Sequence, residues 1–503
     1  MAERDKPQES KDREKEAVEE RLKRSQVRSR NSIALASGAR LDYFATCEFM
    51  PVLEEGLGHE HGEPSAAVFT VAYELEGATP ASRPVCFAFN GGPGSCSVWL
   101  HLGALGPKRV VVNDDGSMPP PPYAVTDNPM TWFAHFDLVF IDPPDTGWSI
   151  TAGDKARQSL LSVDGDVAAL TQVICAWLTR HKRWGSKLYL VGESYGTTRG
   201  AALADSLLNA NAALAGLVLV SCAMDLQTIV FSPKNLLPYA TFLPAFATVA
   251  QFHGRLEGEL AASPEAAHSA AKAFVDEDYV RALHAGTTLG PNERERIAGR
   301  LSELTGLPVS LIAEKNLRID DRTFFVELLR DEGLQVGRLD ARSTAPMAAS
   351  RGRAMEFDPA WEAIAAPYGM AAQAYFSESL GMVDEQRYVL LNMETCKSWQ
   401  WNRGGSRGNA YCATSEDLAR ALRRNAHLRV FVASGRYDLG TPYSATDWSL
   451  AQLDAPPDVL ARVEHHYYDA GHMIYTRQAD LEKLSGDLAT WLGAALHAGD
   501  DRP

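Results

Sequence analysis

The strongest constraint on this chain is a series of short apolar, β-rich runs, each emptying into a loop rich in glycine, serine or aspartate. Val85–Phe89 (VCFAF) runs into NGGPG, Leu138–Ile141 (LVFI) into DPPDTG, and Leu188–Val191 (LYLV) into GESYG. Leu217–Val220 (LVLV) runs into SCAMD, Val430–Ala433 (VFVA) into SGRYD, and Val463–Tyr468 into DAGH. The first five lack the apolar–polar alternation of a half-solvated strand, so they read as strands buried on both faces of a parallel sheet. Helical stretches such as Asp164–Lys182 fall between them. The pattern predicts an α/β fold on an open, mostly parallel sheet flanked by helices. Functional sites in such folds form in loops at the carboxyl ends of the strands. Leu41–Cys47 and Ala66–Tyr73 are expected as earlier strands.

The strand–helix rhythm breaks between Phe231 and Ala413, where Ala, Leu, Glu and Arg dominate. Residues 231–413 are therefore expected to form a largely helical insertion, or cap, between core parts 31–230 and 414–497. Leu236–Phe252 reads as a buried or lid-type helix. Residues 1–30 are nearly all polar or charged and are expected to form a disordered or loosely helical tail. That segment lacks the apolar stretch of a secretory signal, and no run is long enough to span a membrane, so the expectation is a cytoplasmic protein. A net charge of −15 argues against a nucleic-acid surface. The seven cysteines show no C-x-x-C spacing and read mainly as reduced, buried thiols. A Cys396–Cys412 disulfide stays open.

Gly192-Glu193-Ser194-Tyr195-Gly196 fits G-x-S-x-G, a tight strand-to-helix turn that exposes a nucleophilic serine. A strand (LYLV) precedes it and a helix (TTRGAALADSLL) follows, which is the context the motif requires. A serine hydroxyl needs a neighbouring base, and the order Ser, Asp, His selects Asp438 and His472 downstream. Asp438 follows the run VFVA, and His472 stands in the glycine-flanked loop DAGHM. Asp469 competes for the acid, but it sits one turn before the histidine and reads as a local cap. His465 and His466 lie inside a strand pattern. The oxyanion of acyl transfer needs two donors, assigned to the Tyr195 and Gly92 N–H groups, the latter in Asn90-Gly91-Gly92-Pro93-Gly94. No cofactor motif accompanies them. GHEHGE (Gly58–Glu63) lacks the spacing of a metal site and reads as a solvated loop, so no metal is expected.

Together, NGGPGSCSVWLHLGALGP, DLVFIDPPDTGWS, LYLVGESYGTT, VFVASGRYDLGTP and DAGHM resemble the serine carboxypeptidase family, the carboxypeptidase Y-like branch of the α/β-hydrolases, and its bacterial members most closely. The resemblance implies Ser194, Asp438 and His472 as the triad, Gly92 and Tyr195 as the oxyanion hole, and peptides as substrates. It also implies that Asn90 and Glu193 bind the substrate's C-terminal carboxylate. A carboxylate beside an ionised glutamate would be repelled, so the two must share a proton. The chain departs from the family at Ala88 (usually tryptophan), Ala104 (glutamate), Ser95 (cysteine), Asp145 (glycine) and Ile474-Tyr475 (Val-Pro in eukaryotic members). Ala88 and Ala104 fall in the carboxylate-binding network, which keeps a serine esterase or acyltransferase as the alternative activity. A catalytically inactive binding protein is the third reading, and the complete triad opposes it.

Overall fold

The computed structural model describes residues 6–54, 62–79, 83–352, 354–404 and 411–500. Nine strands of the central sheet are β1 (Val27–Ala34), β2 (Arg40–Leu53), β3 (Pro64–Leu75), β4 (Val85–Phe89), β5 (Asp137–Ile141), β6 (Leu188–Glu193), β7 (Leu214–Val220), β8 (Arg429–Gly435) and β9 (Val463–Tyr468). Their order is β1-β2-β3-β5-β4-β6-β7-β8-β9, and a two-residue strand, Ile150–Thr151, pairs with β3. Pairing is antiparallel from β1 through β3 to β5 and parallel from β5 to β9. β4, β5 and β6 are buried at every position, the consequence of their unbroken apolar runs.

The helices that frame the site are α1 (Lys6–Lys23), α2 (Val163–Arg180), α3 (Tyr195–Asn209), α4 (Leu237–Phe252), α5 (Pro359–Ala374), α6 (Ser415–Arg424) and α7 (Gln478–Asp500); further helices, among them Pro264–Phe274 and Pro291–Thr305, lie between α4 and α5. α2, α3 and α6 bury their apolar faces on one side of the sheet, against residues such as Phe87, Leu190 and Val432. α5 and α7 cover the other side, against Tyr189, Val218 and Phe431. α2 begins where Ser162 Oγ accepts from the Gly165 N–H, an N-cap visible in the sequence as Ser-Val-Asp-Gly. This is the α/β-hydrolase fold, with its strand-end loops gathered at one edge of the sheet.

Two expectations need correction. Residues 6–30 carry α1, the helical alternative, and the start of β1, and they are docked rather than loose. The last turns of α1 are anchored: Arg21 donates to Asp384 at 2.8 Å and to Gln386 at 2.6 Å, and Val18 is fully buried. β1 pairs with β2 along its whole length, so the backbone ladder holds a strand whose polar side chains gave no periodic signal. The segment 231–413 is likewise not one cap. Its first part, with α4, builds a core of its own that takes in Tyr437, Leu439 and Tyr443 from beyond β8. From α5 to Tyr388 the chain instead packs on the central sheet, through residues such as Tyr368, Phe376 and Tyr388. α4 is buried along most of its length, with Pro244 inside it.

Candidate active site

Ser194 stands between β6 and α3 at φ 61° and ψ −130°, a backbone conformation rarely open to a residue with a side chain. The turn is tight enough that a Cβ on Gly192 would lie 2.1 Å from the Gly196 carbonyl oxygen, and a Cβ on Gly196 would lie 2.9 Å from that of Phe89. Glycine at both positions is therefore a steric requirement of the elbow.

Asp438 follows β8 and is fully buried. Its carboxylate accepts from the Gly440 and Thr441 N–H groups at 2.8 and 3.0 Å, from the Thr441 hydroxyl at 2.7 Å, and meets His472 Nδ1 at 2.7 Å. The rival Asp469 points away: its exposed carboxylate pairs with Arg477 at 3.3 Å. His465 is tied to Ser434 and Asp447, and His466 stacks on Phe431. His472 is held from both sides, its N–H donating to the Leu339 carbonyl at 2.6 Å and its carbonyl accepting from Ser221 Oγ at 2.6 Å. Burial opposes protonation of its ring, but Asp438 and Glu193 outweigh it, so the pKa lies above the ordinary histidine value. Ser194 and His472 line one cleft of about 400 Å³, open to solvent.

Asn90, Gly91 and Gly92 form a wall of the same cleft. The Gly91 position approaches the elbow so closely that a Cβ there would lie 2.4 Å from the Tyr195 nitrogen. Tyr195 opens α3, so its N–H has no acceptor within the helix. The loop is braced from beneath by Arg199, which donates to the Asn90 carbonyl at 2.6 Å and to Asp166 at 2.7 Å. Asn90 Nδ2 donates to Glu193 Oε1 at 2.9 Å, while Asn90 Oδ1 accepts from the Leu100 N–H at 3.1 Å, which fixes the amide's orientation. Burial pushes the Glu193 carboxyl up to about 7, against the opposing pull of His472, Tyr475 and Asn90.

The substituted positions are accounted for locally. Ala88 and Ala104 are buried in the apolar core. Nearby, the buried Tyr475 hydroxyl faces Glu193 and Asn90 without a well-aligned hydrogen bond to either. Its ring lies against Gly103, where a Cβ would come within 2.3 Å of it. Asp145 takes φ 59°, as a residue in a glycine position must, and its carboxylate accepts from the Thr151 N–H and hydroxyl. Arg338 and Trp361, both from 231–413, also line the cleft. Neither was visible in the sequence, because the contact between that segment and the cleft is purely tertiary. Tyr475 had a signal, its place three residues after His472. Glu63 pairs with Lys15, but residues 58–61 of GHEHGE lie outside the described residues, which contain no cluster able to hold a metal ion.

The fold and its elbow place the chain among the α/β-hydrolases. Residues 56–231 match the model of the family described as "Serine carboxypeptidase". "Serine carboxypeptidase-like 33" of Arabidopsis thaliana is 27% identical over 153 residues, so the match spans about 30% of each chain. A crystal structure of a prohormone-processing carboxypeptidase of Saccharomyces cerevisiae superposes with a TM-score of 0.56 at 14% identity, covering 90% of this chain and 92% of that one.

Proposed function

We propose that the protein is a serine-type carboxypeptidase. Ser194 Oγ attacks the carbonyl carbon of the last peptide bond as His472 Nε2 takes its proton, with Asp438 holding the ring and stabilising the imidazolium. The Gly92 and Tyr195 N–H groups receive the oxyanion. Collapse breaks the C–N bond, the amine leaves with the proton from His472, and water then releases the acyl group by the same steps. The observation that carries the carboxypeptidase reading is the buried Asn90–Glu193 pair beside Ser194. A carboxyl that keeps its proton to about pH 7 can donate to a peptide's terminal carboxylate, which an ionised one would repel. Among family members we place it with the bacterial ones, on Ser95 and Ile474-Tyr475.

Mass spectrometry of peptide mixtures after digestion tests the reading: shortening from the carboxyl end supports it, and internal cleavage or none overturns it. The esterase or acyltransferase reading is favoured by Ala88 and Ala104, which bring no polar group to the carboxylate network. It predicts efficient turnover of a blocked dipeptide ester and weak turnover of the free acid. We also propose a reducing, cytoplasmic setting, supported by seven unbridged cysteines. Among the described residues, no helix is long and apolar enough to cross a membrane.

A further inference from the structure

Arg338 is an exposed residue of the cleft that holds Ser194 and His472. Its backbone is stapled to both loops of the site. The Arg338 and Leu339 N–H groups donate to Asp358 at 3.1 Å each, the Arg338 carbonyl accepts from the Leu439 N–H at 3.0 Å, and the Leu339 carbonyl accepts from that of His472. The guanidinium lies close by: Nη1 would be 2.9 Å from a Cβ on Gly440, a point 3.2 Å from Asp438 Oδ1 and 3.7 Å from His472 Nδ1.

Yet among the described residues this guanidinium has no hydrogen-bond or ion-pair partner. Neighbouring arginines are paired, Arg342 with Asp340 and Arg477 with Asp469. The nearby acids make no ion pair with it; Asp321, which feels the Arg338 charge, accepts instead from the Arg322 N–H at 2.8 Å. Asp438 is filled by the four donors of its own loop and His472. Asp358 is occupied by the N–H groups of Arg338, Leu339 and Ala360. Glu193 is buried, with Oε1 on Asn90 Nδ2 and Oε2 left open, and it makes no ion pair with Arg338. In a chain of net charge −15, a cation at the cleft without a hydrogen-bonded acid is available to an anion.

We propose that Arg338 selects peptides with an acidic side chain at one of the two residues flanking the cleaved bond. The inference rests on the carboxypeptidase reading and names its substrate class. A guanidinium offers a carboxylate two parallel donors, and it draws the anion in over the cleft's length. The C-terminal carboxylate has its own partners in Asn90 and Glu193, so the carboxylate left for Arg338 is a side chain's.

The test compares kcat/KM for blocked dipeptides carrying Glu, Leu or Lys at either position. The wild type should favour Glu over Lys at one of them. Arg338→Gln should lower the Glu-to-Leu ratio there by about tenfold, the scale of one charge-assisted hydrogen bond. Arg338→Lys should restore part of it, and Arg338→Glu should turn the preference toward Lys. A ratio unmoved by Arg338→Gln overturns the proposal, as does an equal loss on every free-acid peptide, which would put Arg338 on the terminal carboxylate. Should the wild type hydrolyse esters but no free-acid peptide, the carboxypeptidase reading fails. The same Glu-to-Leu ratio, measured on blocked amino-acid esters, then decides the role of Arg338 by itself.

Discussion

At the scale of single residues, the proposed mechanism divides the work among a hydroxyl, a ring and a carboxylate, and each can be removed separately. Ser194→Ala should abolish labelling by a fluorophosphonate and lower turnover by about 10⁶, since the remaining groups have no nucleophile to activate. Labelling at the wild-type rate would place the nucleophile elsewhere. Asp438→Asn should lower kcat by about 10⁴ because the amide holds the wrong tautomer of His472. Asp469→Asn, changing an exposed carboxylate paired with Arg477, should have little effect, and the reverse ranking would exchange the two assignments. Glu193 predicts a pH signature. Its proton is held to about 7, so binding of a free carboxylate is strong below that pH and weakens as pH rises through it. His472 acts as a base only once deprotonated, and its pKa is raised, so turnover of a capped ester should climb with pH. The two groups are coupled and will titrate as a pair. Peptide kcat/KM should therefore peak in a narrow range while ester kcat/KM keeps rising. Glu193→Gln should flatten the alkaline decline for peptides. Coincident profiles for the two substrates would remove Glu193 from carboxylate recognition.

At the scale of elements, legibility followed burial. β4 to β8 announced themselves because both faces are covered, leaving apolar runs that nothing but a parallel sheet explains. The loops after β4, β6 and β8 carry Asn90, Ser194 and Asp438, and the loop after the half-exposed β9 carries His472, so the candidate site could be read from four strand ends. β1 was illegible because a polar edge strand is held by its ladder with β2, not by side-chain pattern. Arg338 and Trp361 were illegible for a different reason: nothing local in the sequence records which part of a long insertion folds over the cleft. α1 was hidden by its charge, and its docking can be tested. Asp384 is buried beneath it and accepts from both Arg21 and Arg24. Asp384→Ala would leave the buried Arg21 cation with Gln386 and the face of the Phe49 ring but no carboxylate. Removing one partner of a buried pair costs about 3 kcal/mol or more, so the urea midpoint should fall clearly. An unchanged midpoint would show that α1 does not hold its docked position in solution.

At the scale of the whole molecule, stability comes from two apolar layers on the sheet and a third core in the first part of the insertion. Covalent bracing has no part in it. All seven cysteines are unbridged, and six are buried. Cys396, the partly accessible one, donates its thiol to the Pro93 carbonyl at 2.6 Å, so its sulfur already serves the NGGPG loop. Cys412 sits in a separate small cluster with Tyr195 and Trp399. Burial raises the thiol pKa of both, more strongly at Cys412, which is pushed up to about 11. Neither is therefore poised as a thiolate for oxidation at neutral pH. A bridge between them would close a short loop and add about 3 kcal/mol by restricting the unfolded chain. Reductant would then lower the melting temperature measurably. The structure predicts that it does not: Tm should be the same with and without dithiothreitol, and thiol titration of the protein denatured without reductant should count seven groups. Five groups and a reductant-sensitive Tm would mean a disulfide, and with it an oxidising compartment in place of the cytoplasmic setting proposed above.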